Sequence, residues 1–188
     1  MNREEALALL REYTKSENLV KHGLAVEAAM RSYARKFGED EAKWAIVGLI
    51  HDFDYEAFPE QHPGEGARIL RERGYPEDVI YAVRAHGDHL GLVRRSPMDK
   101  TLFAVDELTG FITAVALVRP SKSLADVDAA SVKKKFKDKA FARGVHREDI
   151  FKGVEEMGVD LDEHLVFVID AMRSVALELG LAGGQGER

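Results

Sequence analysis

The sequence contains no cysteine among its 188 residues, which excludes disulfide bonds and thiolate chemistry. Any metal site must therefore be built from histidine and carboxylate ligands, which suit Mn, Fe, Ni, Co, Zn or Mg. No apolar run is long enough to span a bilayer, and the N-terminal residues lack the apolar core of a signal peptide. These absences predict a cytoplasmic protein without a membrane partner.

An excess of positive charge is also missing. The chain has 27 basic and 33 acidic residues, for a formal net charge of -6. Proteins that bind nucleic acid generally carry basic surfaces, so a nucleic-acid partner is not expected. The lysine-rich run over residues 133–139 is a local exception, but such a run is more often a solvated helix face.

Sustained period-two alternation is absent, whereas apolar residues recur at helical spacing along most of the chain. This pattern predicts an all-α fold, a compact bundle of eight or nine helices. We expect residues 1–182 to form a single domain and residues 183–188 a disordered tail. The predicted helices include one over 132–142 and a long closing one over 161–181.

Four residues suited to binding a metal fall on helices that are predicted to form the core. A helix that begins near Glu39 is apolar nearly all round, which predicts a central position, and it delivers His51 and Asp52 at its C-terminal end. His22 lies on the inward face of the preceding helix. Asp106 lies within a later apolar pattern, where an unpaired carboxylate is costly.

The remaining histidines are less constrained by their positions. His62 and His86 each stand beside a loop, at the start and at the end of predicted helices. His89 competes with His86 for a ligand role. His146 and His164 fall outside the pattern, and we expect both at the surface or at helix ends.

In their order and spacing, these residues resemble the HD-domain superfamily of metal-dependent phosphohydrolases, in particular its uncharacterised hydrolase branch. The resemblance implies an all-α fold with a metal site at its centre and one or two divalent ions. It implies hydrolysis of a small phosphoester, with a nucleotide favoured. The implied ligands of a first ion are His22, His51, Asp52 and Asp106. Those of a second ion are His62 and His86, with Asp52 shared between the two ions.

The residues that follow the His-Asp pair depart from the family pattern. Phe53-Asp54 stands where the family often has Ile-Gly, and Tyr55 stands where members acting on cyclic dinucleotides commonly have lysine. These departures weaken the hypothesis that the substrate is a cyclic dinucleotide, but they leave the expectation of general phosphoester hydrolysis unchanged.

Asp52 and four further residues are candidates for catalysis or for substrate binding. Asp54 and Glu56 follow the metal pair closely enough to protonate a leaving group or to orient water. Arg84 and Lys100 flank the site in sequence and offer cations for phosphate. These roles are hypotheses from sequence proximity alone.

Two other functions remain open on the same ligand set. One is a di-iron oxygenase, an activity that a minority of the family's members have. The other is a non-catalytic module that senses a nucleotide through a retained metal. The completeness of the ligand pattern argues against the sensor, because a degenerate site would be expected to have lost a ligand.

Overall fold

A computed structural model describes residues 2–183, and over this range the chain is all-α, as predicted. The described residues form no strand, only an isolated bridge between Ser123 and Ala182. None of the described helices is both long and apolar enough to cross a membrane. The helices are α1 Arg3–Tyr13, α2 Glu17–Phe37, α3 Glu41–Ile50, α4 Gly64–Glu72, α5 Glu77–His86, α6 Pro97–Leu117, α7 Ala129–Phe136, α8 Arg147–Met157, α9 Leu161–Arg173 and α10 Ala176–Leu179.

The contacts divide the chain into two compact units, and the division falls inside α6, between Phe103 and Ala104. The first unit holds α1 to α5 and the first turns of α6. The second holds the rest of α6 and the helices that follow. The single domain expected for residues 1–182 stays a prediction, as does the cytoplasmic location. Of the expected tail, residues 184–188 lie outside the described part of the chain.

Helix α3 is the centre of the first unit. All seven residues from Trp44 to Ile50 are buried, and the helix contacts α1, α2 and α5. Asp40 starts it by accepting hydrogen bonds from the backbone N–H groups of Ala42 and Lys43, as an N-cap does. A helix that is apolar nearly all round must be covered on every side, which explains its position.

Two glycines allow α2 and α3 to cross at close range. A Cβ on Gly23 would lie 2.8 Å from the carbonyl oxygen of Leu49, and a Cβ on Gly48 would lie 2.8 Å from that of Val26. No larger residue fits either position without moving a backbone, because real Cβ atoms do not approach within 3.0 Å. The crossing therefore places the part of α2 around Gly23 against the C-terminal end of α3.

The second unit packs around α6 and α9. Phe111 on α6 stacks on Phe136 with ring centroids 4.6 Å apart. Gly153 on α8 allows close packing, since a Cβ there would lie 2.5 Å from the Cα of Ala104. His164 lies in the first turn of α9, but it is buried rather than exposed, with Nε2 3.1 Å from the carbonyl oxygen of Ala104. Of the two positions expected for His164, at the surface or at a helix end, the structure shows the helix end.

Two predicted helices are shorter than expected. The helix predicted over 132–142 is α7, which begins earlier, where Asp128 and Ser131 form a capping box, and ends at Phe136. Its lysine run places like charges one turn apart, which disfavours further helix. The closing helix predicted over 161–181 stops at Arg173, whose guanidinium donates to the carbonyl oxygens of Leu124 and Val127.

Candidate metal centre

His51 and Asp52 leave α3 in the turn that follows Ile50. The His51 side chain is fully buried, and its Nδ1 lies 2.8 Å from the carbonyl oxygen of Gly48. Because a carbonyl only accepts hydrogen bonds, Nδ1 carries a proton, and Nε2 is the atom that can bind a metal ion or take a second proton. This Nε2 lies 3.4 Å from Oδ2 of Asp52.

His22 joins the same side of Asp52. It precedes Gly23, so the close crossing of α2 and α3 brings its ring to 5.1 Å from the ring of His51. Its Nε2 lies 3.8 Å from Oδ2 of Asp52. Two imidazole nitrogens, from two helices, thus face one carboxylate oxygen.

His62 and His86 occupy the other side of Asp52. Each Nε2 lies 3.2 Å from Oδ1 of Asp52, and the two Nε2 atoms lie 3.2 Å from each other. The Nδ1 of His86 donates to the carbonyl oxygen of Val83, and that of His62 donates to Asp54. The Nε2 atoms of both rings therefore face Oδ1, where each can carry a second proton or bind a metal ion.

These separations fit ligands that share one ion. Bonds of about 2.1 Å from a common metal separate neighbouring ligand atoms by roughly 3.0–3.4 Å in octahedral or tetrahedral geometry. The three atoms Oδ1 of Asp52, Nε2 of His62 and Nε2 of His86 are each 3.2 Å apart. The residues present therefore fit a divalent ion, and their chemistry leaves its identity open.

The electrostatics keep Asp52 anionic. Burial raises the pKa of this carboxyl, but the charge of His51 and hydrogen bonds with His51, His62 and His86 lower the pKa well below its usual value. Burial lowers the pKa of His62, whereas its hydrogen bonds with Asp52 and Asp54 outweigh that effect and raise the pKa to about 9. A cation is therefore favoured beside Asp52, either a proton on His62 or a metal ion.

The sixth predicted ligand belongs to the second unit. Asp106 lies on α6, three residues after Phe103. Its assignment to the first ion stays a prediction from the sequence.

Asp54 and Glu56 both accept hydrogen bonds from other parts of the chain. Asp54 is fully buried and accepts from Nδ1 of His62 at 2.8 Å and from the backbone N–H of Gly66 at 2.7 Å. Glu56 is exposed, and its Oε2 accepts the backbone N–H groups of Lys15 and Ser16 at 2.9 and 3.0 Å, at the start of α2. Their roles as proton donors stay predictions.

The two predicted phosphate-binding residues lie on α5 and α6. Arg84 is on α5, two residues before His86, and such residues leave a helix about 200° apart. Arg84 and His86 therefore leave opposite faces. Lys100 lies half-buried near the start of α6. Binding of phosphate by either residue stays a prediction.

Two residues near the site have structural roles that their place in the sequence does not reveal. Arg94 is buried, with its guanidinium 3.6 Å from the ring centroid of Phe103. It donates to the carbonyl oxygen of Ala85 and to Asp88, which fixes the loop after α5. Tyr55 lies edge-on to His62 with ring centroids 5.4 Å apart, and 47% of it is exposed.

Another group of histidine and carboxylate residues lies at the start of α8. Glu107, His146 and Asp149 bring ligand-type atoms within 4.8 Å of one another. Glu107 accepts the backbone N–H of His146 at 3.1 Å, and His146 is the N-cap residue of α8 and exposed, as predicted. This contact is that of a carboxylate at the N-terminus of a helix.

Comparison with known proteins agrees with the geometry. The model of the HD domain family matches residues 19–110. Ribonuclease Y of Oleidesulfovibrio alaskensis is 28% identical over 99 residues, and ribonuclease Y of Nitratidesulfovibrio vulgaris is 30% identical over 99 residues. Each alignment covers 50% of this chain but 18% of the relative, so the chain spans less than a fifth of the length of these proteins.

No solved structure matches the chain. The family is generally one of metal-dependent hydrolases, and the matched region contains all six predicted ligands. With its helical fold and its histidines gathered around Asp52, the chain belongs to the HD-domain superfamily.

Proposed function

We propose that this protein is a metal-dependent phosphohydrolase acting on a small phosphoester, with nucleotides as the favoured substrates. One observation carries the proposal. Each oxygen of Asp52 faces a different pair of histidines, His22 and His51 on one side and His62 and His86 on the other. A carboxylate placed in this way can bridge two ions.

The residues prepare such a site before any ion arrives. His51, His62 and His86 each hold a proton on Nδ1 through a hydrogen bond, so Nε2 is the ligand atom in all three. Asp52 remains anionic because its pKa is lowered. Divalent ions held there supply Lewis acidity toward a phosphoryl oxygen and lower the pKa of water. The sequence resemblance adds Asp106 as a further ligand.

The choice of substrate class has two supports beyond the ligand set. The relatives are ribonucleases by name, which points to phosphoesters of nucleotides. The net charge of -6 disfavours long nucleic acids, whose binding relies on neutralising many phosphates. A small nucleotide satisfies both considerations.

The proposal is tested by measuring metal content and turnover together. The protein is stripped of metal, reloaded with Mn, Co, Ni, Fe, Zn or Mg, and assayed on mononucleotides, dinucleotides and simple phosphoesters. Asp52→Ala should lose bound metal and at least about 100-fold in turnover, since removing even a residue that orients a ligand commonly costs about 10–100-fold. Asp162→Ala, at an exposed aspartate that pairs with Lys133, is the matched control and should behave as wild type.

Turnover by Asp52→Ala equal to that of the wild type across the whole panel would contradict the proposal. Oxygen uptake by the iron-loaded protein, without phosphoester turnover, would support the di-iron oxygenase instead. Tight nucleotide binding with no product after long incubation would support the sensor.

A further inference from the structure

Asp54 is a buried carboxylate whose two oxygens have different partners. Oδ1 accepts the N–H of His62 Nδ1 at 2.8 Å, and Oδ2 accepts the backbone N–H of Gly66 at 2.7 Å. The side chain has no exposed surface. Burying a carboxylate is costly unless such charge-assisted bonds compensate, so these two contacts fix its position.

Gly66 forms the space that the carboxylate occupies. A Cβ at this position would lie 2.7 Å from both Cγ and Oδ1 of Asp54. Gly66 lies in the first turn of α4, where backbone N–H groups have no partner within the helix and the helix dipole favours an anion. The glycine therefore both binds the carboxylate and leaves room for it.

The three histidines with assigned protons differ in how Nδ1 is satisfied. His51 and His86 stand at the ends of helices, and each donates to the carbonyl oxygen three residues earlier, in Gly48 and Val83. His62 instead precedes α4, so no preceding turn of that helix supplies a carbonyl. Asp54 supplies the missing acceptor.

We propose that Asp54, held by Gly66, is a positioning residue that fixes the ring orientation and tautomer of His62. It thereby controls occupancy of the metal position formed by His62, His86 and Oδ1 of Asp52. A carboxylate that accepts from the far nitrogen of a ligand histidine orients the ring and raises its basicity. The inference rests on the proposed metal site and is independent of the substrate.

Asp54→Asn and Gly66→Ala test the two halves of this arrangement. His62 and Gly66 donate to different oxygens of Asp54, so an asparagine in the same position places its NH2 group, which is a donor, against one of these two donors. The alanine methyl group at position 66 must displace the carboxylate. Gly64→Ala is the matched control, since a Cβ there meets nothing within 4 Å and it lies in the same first turn of α4.

Bound Mn or Co is counted per chain by elemental analysis, and the affinity of each ion is measured by calorimetry. If the wild type binds two ions, Asp54→Asn and Gly66→Ala should weaken one of them by about 10–100-fold and leave the other unchanged. His62→Ala gives the reference for loss of that position. Gly64→Ala should bind both ions as the wild type does, and circular dichroism checks that every variant is folded.

Wild-type stoichiometry and affinity in both test variants would overturn the inference, as would equal loss of both ions in folded protein. Full metal occupancy in Asp54→Asn with a collapsed kcat would also overturn it, because that result identifies a proton donor. If Asp54→Asn does not fold, Gly66→Ala still decides. Two bound ions without phosphoester turnover would contradict the proposed function while leaving this inference intact, whereas a wild type without a second ion overturns the inference itself.

Discussion

Replacing Gly48 by alanine should force α2 and α3 apart. The added Cβ would lie 2.8 Å from the carbonyl oxygen of Val26 and 2.9 Å from the backbone nitrogen of Glu27. Both atoms belong to the backbone, so no change of rotamer relieves the contact. The same crossing brings His22 to His51, so its disturbance should reach the metal site.

The size of the effect follows from two opposing contributions. Alanine is favoured over glycine within a helix by about 1 kcal/mol, whereas overpacking a tight core costs about 1–3 kcal/mol. Because two helices must move together, we expect an overpacking cost at the upper end, about 2–3 kcal/mol, and so a net loss of about 1–2 kcal/mol in the free energy of unfolding. Gly110, inside α6, is the matched control, since a Cβ there would lie 3.9 Å from Cγ2 of Val145, an ordinary contact.

Urea unfolding of the metal-free variants measures both changes under one set of conditions. Gly48→Ala should destabilise the protein, and Gly110→Ala should stabilise it by up to about 1 kcal/mol. Calorimetry should also show weaker binding of the ion on the His22 and His51 side in Gly48→Ala. Equal stabilisation by the two substitutions would refute the close crossing of α2 and α3.

Two further predictions concern the other side of Asp52. In the metal-free protein, burial lowers the pKa of His62 in the folded state, but hydrogen bonds with Asp52 and Asp54 raise this pKa from 6.5, its value in the unfolded chain, to about 9. Protonated His62 therefore stabilises the fold, and the full stabilisation is present below pH 6.5. The free energy of unfolding should therefore fall by about 3 kcal/mol as the pH rises from 6.5 to 9, and urea titrations should show no such fall in His62→Gln. Tyr55→Leu should raise KM for nucleotides by about 5–100-fold, the contribution of a base stacked on an aromatic ring, and leave KM for ribose phosphate unchanged. Tyr55→Phe keeps the ring and should match the wild type. An equal rise in KM for both substrates would exclude stacking.

The sequence predicted the helical class and the central position of α3 because its apolar residues cover the whole helix surface. Periodicity also assigned His22 to the inward face of α2. It could not predict how closely α2 and α3 approach, since this depends on Gly23 and Gly48 meeting across the crossing. Nor could it predict the end of α9, where the side chain of Arg173 donates to carbonyl groups far away in the sequence.

The departure from the family pattern after His51-Asp52 gains a physical reason from the contacts of Asp54. Where the family often has glycine, this chain has a carboxylate two residues beyond the metal pair, and glycine offers no side-chain acceptor. His51 and His86 obtain acceptors from their own helices, but His62 lies ahead of α4 and depends on a residue elsewhere. If Asp54 orients His62 as proposed above, Tyr55, half-exposed beside His62, is the residue of this segment that we expect to contact substrate.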